Sequence, residues 1–592
     1  MSDAGGGRSA FVVGAGILIS RVVGLLRNTA FAYYFGSGAA SDAYNAAFKI
    51  PNAVRNLLGE GTLSASFVPV YSRVLVRNDP KAAKALANAV LGLLLAAVSL
   101  LTLAGIAAAP ILTTVLAPGF DPATQELTTR LMRVLFPMTG LMVLSGWCLG
   151  IQNSHRRFVW SYASAALWSV AQIALLVVWG RRAPDAMTLA YWLAWATLGG
   201  AVLQIAAQMP EVLRLVGSIR PSVDRSAEGV MQTLRNILPV VTALGVVQIS
   251  SFIDLQIASY LPQGAATNIS YANTLAMLPV SLFGVSVAAA ALPEFARDSG
   301  TLALEALLER LRGGWQRILF YIVPSAVVFI TLGDYCVGIL YRAGRFGAAE
   351  QQSVHWVLAA YAVGLVSFGS VKLLGSAYYA LQDYRTPLRA SIASIIVSAA
   401  VSIGIAVPMR SLPMAAAGIA LGSAMGSYVN LAMLSRGLRQ RLGTLYTPAM
   451  WRGTRRIVVA ALVAGVLSVS LRLAQERWFP GLHPRLAGLP VLAGFGVTYL
   501  VVAWAMGSAE AARWLRLSVR KAGVGVPSTI NGSVMRFWCP RTTGPAPLSH
   551  AVCRPASRRS CRISRSPPAS TCGRMPRDRC STWGRRSACA PA

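Results

Sequence analysis

Between residues 20 and 60 the charged side chains are Arg21, Arg27, Asp42, Lys49, Arg55 and Glu60, all set in otherwise apolar sequence. A central Arg or Lys costs about 2.5–3.5 kcal/mol in a membrane span even on lenient insertion scales, so such a set must face water, a partner or a ligand. The three arginines offer planar forks that match phosphate oxygens two at a time. At about 100° per residue, Asp42, Asn45, Lys49, Asn52, Asn56 and Glu60 fall in one stripe with Arg55 at its edge, which predicts a polar seam lining a cavity. Pro51 and the Gly59/Gly61 pair predict a bend in that segment. Arg21 and Arg27 stand about 120° apart on an ideal helix and converge if Gly24 lets the helix bend or if one snorkels. The alternative is that Asp42 and Glu60 neutralise the basic residues in a packed bundle; three arginines in two spans favour an anion site.

Farther along, Asp254 stands alone in Gln248-Ile-Ser-Ser-Phe-Ile-Asp254-Leu-Gln256. A carboxylate beside hydroxyls and an amide could bind a coupling cation or carry a proton, or it could pair with Lys372, the other intramembrane cation. The histidines are scattered (His155, His355, His483, His550), and no Walker A, HExxH or nucleophile-elbow pattern occurs. No metal site, covalent catalysis, nucleotide hydrolysis or organic cofactor is indicated; the expectation is a transporter with Na+ or H+ as its coupling ion.

The elements that must hold these residues are membrane helices. The 592 residues are 55% hydrophobic and 13% charged, with a mean hydropathy of +0.54, a balance no soluble protein could cover with a polar surface. Apolar stretches long enough to cross about 30 Å of hydrocarbon lie near 10–35, 40–72, 85–116, 128–152, 158–180, 186–209, 232–260, 268–295, 315–341, 352–381, 386–408, 413–436, 453–475 and 485–507. The expected fold is therefore all-α and integral to the membrane, with about fourteen spans. The first reads as a retained helix, since no small-residue cleavage site follows it.

The formal charge of +33 is carried by alternate loops instead of one basic domain, which argues against a nucleic-acid partner. Arg73, Arg77, Lys81 and Lys84 follow the second span, Arg156 and Arg157 the fourth, and Arg214, Arg220 and Arg225 the sixth. Arg436, Arg439 and Arg441 follow the twelfth, while 35–39 has no basic residue and 261–267 no charge. Positive-inside bias then places both termini in the cytoplasm of a cell with this protein in its inner membrane.

The chain also repeats itself weakly. Phe67-Val-Pro-Val-Tyr-Ser-Arg73 matches Ala291-Leu-Pro-Glu-Phe-Ala-Arg297, Leu116–Phe120 matches Tyr341–Phe346, and Gly150-Ile-Gln-Asn153 matches Ala380-Leu-Gln-Asp383, at offsets from 224 (291 less 67) to 230 (380 less 150). Spans one to six thus pair with seven to twelve as parallel repeats with a cavity between them. The predicted divisions are an N lobe (8–222), a C lobe (223–445), two further helices (446–510) and a tail (525–592). In that tail Arg, Ser and Pro accompany Cys539, Cys553, Cys561, Cys572, Cys580 and Cys589. No CxxC spacing supports a metal or redox module there; the tail reads as disordered or frameshifted.

The run Ser20-Arg21-Val-Val-Gly24-Leu-Leu-Arg27, then Phe35-Gly-Ser-Gly-Ala-Ala-Ser-Asp42-Ala-Tyr-Asn-Ala-Ala-Phe-Lys49-Ile-Pro-Asn52, and Arg55 through Glu60 to Pro69 closely resembles the MurJ (MviN) lipid II flippases. The likeness continues through Tyr271-Ala-Asn, Leu292-Pro293, Gln382-Asp383 and Thr386-Pro387, over roughly residues 8–510. It implies a MOP-type fold of two lobes around a V-shaped cavity, alternating access, and export of lipid II, the undecaprenyl-pyrophosphate-linked peptidoglycan precursor. It further implies membrane-lipid contact along the last two helices and cell-wall synthesis proteins as partners. In the family the arginines matching Arg21, Arg27 and Arg55 serve the cationic cavity, the acid matching Asp42 supports it, and an acid that matches Asp254 binds sodium in some members. With Lys49, Asn52 and Glu60 these form the expected substrate cavity. One departure stands out: where the family often has Arg after Tyr-Ala-Asn, this chain has Thr274.

Competing readings are a flippase for another lipid-linked saccharide, a multidrug antiporter of the same superfamily, a membrane glycosyltransferase, and a scaffold that no longer transports. The antiporter would need an acidic, aromatic cavity, and the glycosyltransferase a long catalytic loop that this chain lacks.

Overall fold

The computed structural model describes residues 3–77, 79–285, 287, 304–479, 484–508 and 510–514, all within one compact unit, Met1–Val524. The tail from 525 with its cysteines, and the Ala291–Arg297 and Leu292-Pro293 motifs, lie outside the described residues.

Among the described residues the chain is all-helical, without strands. The helices are α1 (Asp3–Phe35), α2 (Ala39–Leu58), α3 (Glu60–Val76), α4 (Pro80–Leu116), α5 (Pro122–Ser154), α6 (Phe158–Trp179), α7 (Ala186–Val216), α8 (Val230–Ser259) and α9 (Ala265–Pro279). A π turn at Val280–Val285 follows, then α10 (Leu304–Thr331), α11 (Gly333–Tyr341), α12 (Ala348–Ala380), α13 (Arg385–Ala406), α14 (Ala415–Leu442), α15 (Pro448–Trp478) and α16 (Pro484–Ala505). Nine of those described are long and apolar enough to cross a membrane by length and composition. Two expected spans prove to be helix pairs: 40–72 breaks at Gly59 between α2 and α3, and 315–341 breaks at Leu332 between α10 and α11.

Helix starts follow local chemistry. Asp79, Asp121, Asp185 and Thr447 accept hydrogen bonds from the first-turn N–H groups of α4, α5, α7 and α15, and Pro80, Pro122 and Pro448 occupy first helical positions where no N–H is needed. Helices α13 and α14 meet through small residues: a Cβ at Gly422 would collide with Ser402 Oγ, and one at Gly426 with the Ser394 carbonyl oxygen. Close approach of this kind holds helices together where lipid gives no hydrophobic drive.

The repeat is sharper in the structure than in the sequence. Helices α5 and α12 both have 33 residues and start 226 apart (348 less 122). The N-caps of α2 and α9, Gly38 and Gly264, are also 226 apart, as are Gly217 (φ 80°) and Gly443 (φ 84°). So are Arg156 (φ 58°) and Gln382 (φ 57°), the two described non-glycine residues in the left-handed region. This offset corrects the third sequence match, Gly150–Asn153 with Ala380–Asp383, by four residues, about one helical turn; Phe120 and Phe346 from the second match agree with it.

The Gln382-Asp383 and Thr386-Pro387 motifs build the α12–α13 turn. Asp383 accepts from the N–H groups of Arg385 (3.0 Å) and Thr386 (3.1 Å) and from the Thr386 hydroxyl (2.7 Å), and Arg441 at the end of α14 pairs with it at 2.7 Å. Burial alone would raise this carboxyl, but the Thr386 and Arg441 hydrogen bonds outweigh it and bring it to about 2. Its stabilisation is therefore present in full above the ordinary value of 3.8 and lost as pH falls through about 2. Asp383→Asn is expected to cost about 1–2 kcal/mol, read as a lower melting temperature of the purified chain at neutral pH. That difference from the unsubstituted chain should shrink in acid; an undiminished difference would count against the charge-based account.

Candidate functional site

The two halves are joined at one end of the bundle, where α1 ends and α2, α9 and α12 begin. Asp42, 3% exposed on the first turn of α2, reaches across to the start of α9. Its Oδ2 accepts from Gly264 N–H at 2.6 Å, and its Oδ1 from Thr267 N–H at 2.8 Å and the Thr267 hydroxyl at 2.7 Å. Gly264 has no side chain with which to cap α9, so a carboxylate from the opposite half satisfies its orphan N–H groups and sits at the positive end of its dipole. Asn268, the pseudo-equivalent of Asp42, lies 2.6 Å from Ser37 Oγ, just before α2.

Around this reciprocal contact, Tyr271 Oη donates to the Gly36 carbonyl at 3.1 Å and Arg345 N–H to the Tyr33 carbonyl at 2.9 Å. Gly119 N–H donates to Ser259 Oγ at 3.1 Å, and Asn45 Nδ2 to Thr267 Oγ1 at 3.1 Å. Backbones touch closely enough to require glycine at Gly36 (φ +62°) and Gly344 (φ +61°). A methyl group added at Gly36 would lie 2.7 Å from the Arg345 carbonyl oxygen, and one at Gly344 would collide with the Tyr33 carbonyl oxygen.

Inside this sealed end lie two polar chambers. The one nearer the seal, about 270 Å³, is lined by the carboxamides of Asn28, Asn45, Asn52, Gln172 and Asn273 together with Lys49, Thr274 and several aromatic rings. The second, about 710 Å³, is lined by Arg21, Arg27, Arg55, Ser145, Ser169 and Gln204. Arg27 and Trp168 belong to both. No Asp or Glu is among the described residues lining either chamber. The larger volume falls within the usual range for small-molecule sites, and four cations without a lining acid suit an anion.

The structure thus distributes the expected cavity residues over three places. Arg21, Arg27 and Arg55 come together in the larger chamber, with α1 unbroken and Gly24 on the chamber wall. Arg27 donates to Asn28 Oδ1 (2.9 and 3.2 Å) and lies over the Trp168 ring at 4.8 Å, with Arg55 5.8 Å from the same ring. Arg21 donates to Ser281 Oγ of the other half at 3.3 Å. Lys49 and Asn52 line the smaller chamber. Asp42 neutralises no arginine: it is committed to the α9 N-terminus. The side chain of Glu60 lies outside the described residues.

Asp254, partly buried on α8, has Lys49 as its charged neighbour and accepts a hydrogen bond from Ser423 on α14. Its alternative partner, Lys372, is exposed on α12. Lys49 wins because α2 and α8 pack side by side, bringing a cation of one half to an acid of the other. Among the described residues no group of three or more His, Cys, Asp or Glu is placed to hold a metal ion.

Sequence reasoning missed Trp168, Ser37, Thr267 and Asn268. An apolar-span tryptophan carries no local signal, whereas the glycine-led start of α9, opposite a lone acid at the start of α2, could have suggested a cap supplied across the halves.

A family model described as lipid II flippase MurJ matches residues 31–488. A probable lipid II flippase MurJ of Rhizobium tropici is 31% identical over 497 residues, covering 83% of this chain and 91% of that protein. The lipid II flippase MurJ of Burkholderia cenocepacia is 32% identical over 473 residues, 78% of this chain and 89% of that one. Among solved structures, a lipid II flippase MurJ in an inward closed conformation aligns with a TM-score of 0.69 at 19% identity, over 83% of this chain and 98% of its own. An inward-facing multidrug resistance MATE transporter of the MOP superfamily aligns at 0.54 with 19% identity, over 71% and 94%; at these identities the likeness is one of fold.

Proposed function

Because the chain belongs to the lipid II flippase MurJ family, we propose that it carries the undecaprenyl-pyrophosphate-linked peptidoglycan precursor from the cytoplasmic to the periplasmic leaflet of the inner membrane. The observation that carries this reading is the chamber of Arg21, Arg27 and Arg55, with no acid among its described lining residues, behind a seal made by both halves. The pyrophosphate enters on the arginines, the isoprenoid tail stays in lipid along α15 and α16, and rocking of the halves breaks the seal and exposes the headgroup.

Counting α2–α3 and α10–α11 as one crossing each gives fourteen spans, with the N lobe at 8–222, the C lobe at 223–445 and a lipid-facing pair at 446–510. Basic loops at the end opposite the seal support a periplasmic seal and cytoplasmic termini. Cell-wall synthesis proteins then consume the exported precursor. The lack of acids among the described residues of the chamber walls weighs against a cation-exporting drug antiporter. Thr274, on the wall of the smaller chamber, favours as second reading a flippase for another lipid-linked saccharide.

The cycle resets without nucleotide hydrolysis, on a Na+ or H+ gradient or the membrane potential, where one charge moved through 100 mV is worth about 2.3 kcal/mol. Asp254 is the coupling group: an ion bound there competes with Lys49 and so alters a contact between the halves. Asp254→Asn is expected to lower export roughly tenfold and to leave the remainder indifferent to collapse of the gradient; residual export that still falls on depolarisation would remove Asp254 from coupling.

Expression of the full chain in bacteria depleted of their own lipid II flippase, with surface-exposed lipid II measured, tests the function itself. Restored export supports peptidoglycan-precursor transport. No export from a well-inserted chain overturns it in favour of another lipid-linked sugar.

A further inference from the structure

Trp168 occupies the boundary between the two chambers and lines both. Its backbone is fixed: Gly200 of α7 packs so closely that an added Cβ would lie 2.9 Å from the Trp168 carbonyl oxygen, and Gln172 Nε2 donates to that same oxygen at 3.3 Å. Its ring stacks against Phe48 at 5.9 Å and 26°. The indole therefore forms a partition, and two guanidiniums rest within 6 Å of it at 4.8 and 5.8 Å, the reach at which the ring quadrupole attracts a cation. The indole N–H is buried and has no acceptor among the described residues, an arrangement that proteins avoid unless a ligand or another group uses the donor.

The chambers on either side of this partition differ in chemistry. The larger gathers three arginines. The smaller shares Arg27 and adds only Lys49, the neighbour of Asp254, but brings five carboxamides, from Asn28, Asn45, Asn52, Gln172 and Asn273, together with aromatic rings. Carboxamides offer donors and acceptors at once, and aromatic faces cover the apolar faces of a sugar ring. That combination suits a hydroxyl- and amide-bearing ring that adjoins an anionic group.

We propose that Trp168 is a specificity-determining residue: its indole divides the polar interior into a basic chamber for the pyrophosphate and an amide chamber for the adjoining N-acetylated sugar, and its N–H donates to that sugar. This rests on the lipid-linked headgroup reading given above and adds to it a residue that distinguishes a glycosylated ligand from the bare pyrophosphate lipid. The arginines bind what both ligands share, and Trp168 reads what only one of them carries.

The test is binding to the purified full chain in lipid nanodiscs, using undecaprenyl pyrophosphate and undecaprenyl pyrophosphate bearing one N-acetylglucosamine. The unsubstituted chain is expected to prefer the glycosylated lipid. Trp168→Phe, which keeps an aromatic face for the guanidiniums and deletes the N–H, is expected to weaken the glycosylated lipid on the order of tenfold while leaving the bare lipid unchanged. Trp168→Ala, which removes the ring under Arg27 and Arg55, is expected to weaken both. Equal weakening of both lipids by Trp168→Phe, or no preference for the glycosylated lipid in the unsubstituted chain, overturns the assignment while leaving the flippase reading intact. Binding of neither lipid by the unsubstituted chain overturns the flippase reading and this assignment with it.

Discussion

An Asp42→Ala chain is expected to insert normally and yet export precursor at less than about one hundredth of the unsubstituted rate. The carboxylate makes three hydrogen bonds to the start of α9, at 2.6, 2.7 and 2.8 Å, from a site 3% exposed. Hydrogen bonds to a charged group contribute about 1.5–3 kcal/mol each and are not additive, so a loss of about 3 kcal/mol from the sealed state is a moderate expectation. That is more than a hundredfold in the balance between sealed and open forms. A carrier that cannot hold its far gate shut while it loads has lost alternation even with its arginines intact. Asp42→Asn should fall between, because its amide keeps the shape and one acceptor but presents donors to N–H groups. Two measurements decide the matter together: surface-exposed precursor in flippase-depleted bacteria, and amide hydrogen exchange over residues 259–271. Export lost with faster exchange there supports the gate. Export lost with unchanged exchange would move Asp42 from the gate to some other task.

Much of this arrangement was legible in the sequence, and the part that was not has a physical reason. The stripe from Asp42 to Asn52 and the arginines at 21, 27 and 55 announced a polar interior, because charge in a span is costly enough to need an explanation. Which member of the stripe served which purpose could not be read, since the decision lies with the opposite half. Asp42 caps α9 because Gly264 brings no cap of its own. Lys49 meets Asp254, while Lys372, one of the expected partners, is exposed on α12. Trp168 gave no signal at all: an aromatic residue in an apolar span is ordinary until two guanidiniums are found on its face. The repeat was visible but out of register by a turn at one match, because membrane helices share composition so freely that a slip of four residues preserves the same apolar face. The left-handed residues Arg156 and Gln382 and the glycines at 217 and 443 fix it, since turns tolerate no such slip.

Removing a guanidinium from the larger chamber should separate binding from stability with opposite signs. Arg27 is half-buried, its described partners are the neutral Asn28 side chain and the Trp168 ring, and a second cation, Arg55, shares that ring. Two like charges gathered in a partly desolvated place, with no acid among the described wall residues, are costly to the ligand-free protein, and such cost persists at sites where a ligand relieves it. Arg27→Met should therefore melt at a higher temperature than the unsubstituted chain, as expected for a functional charge traded for an apolar group of similar length. The same change should weaken the pyrophosphate lipid by roughly 30- to 5,000-fold, the 2–5 kcal/mol typical of truncating one partner of a buried charged contact. Arg55→Ala should lose export comparably, and Arg55→Lys should recover only part of it, because an ammonium supplies the charge without the planar fork or the stacking on indole. Thermal unfolding and lipid binding measured on the same preparations give the discriminating pattern. A rise in stability with a loss of affinity marks Arg27 as an anion-binding group, whereas a fall in both would mean that it holds the bundle together and that the cationic chamber has a structural origin.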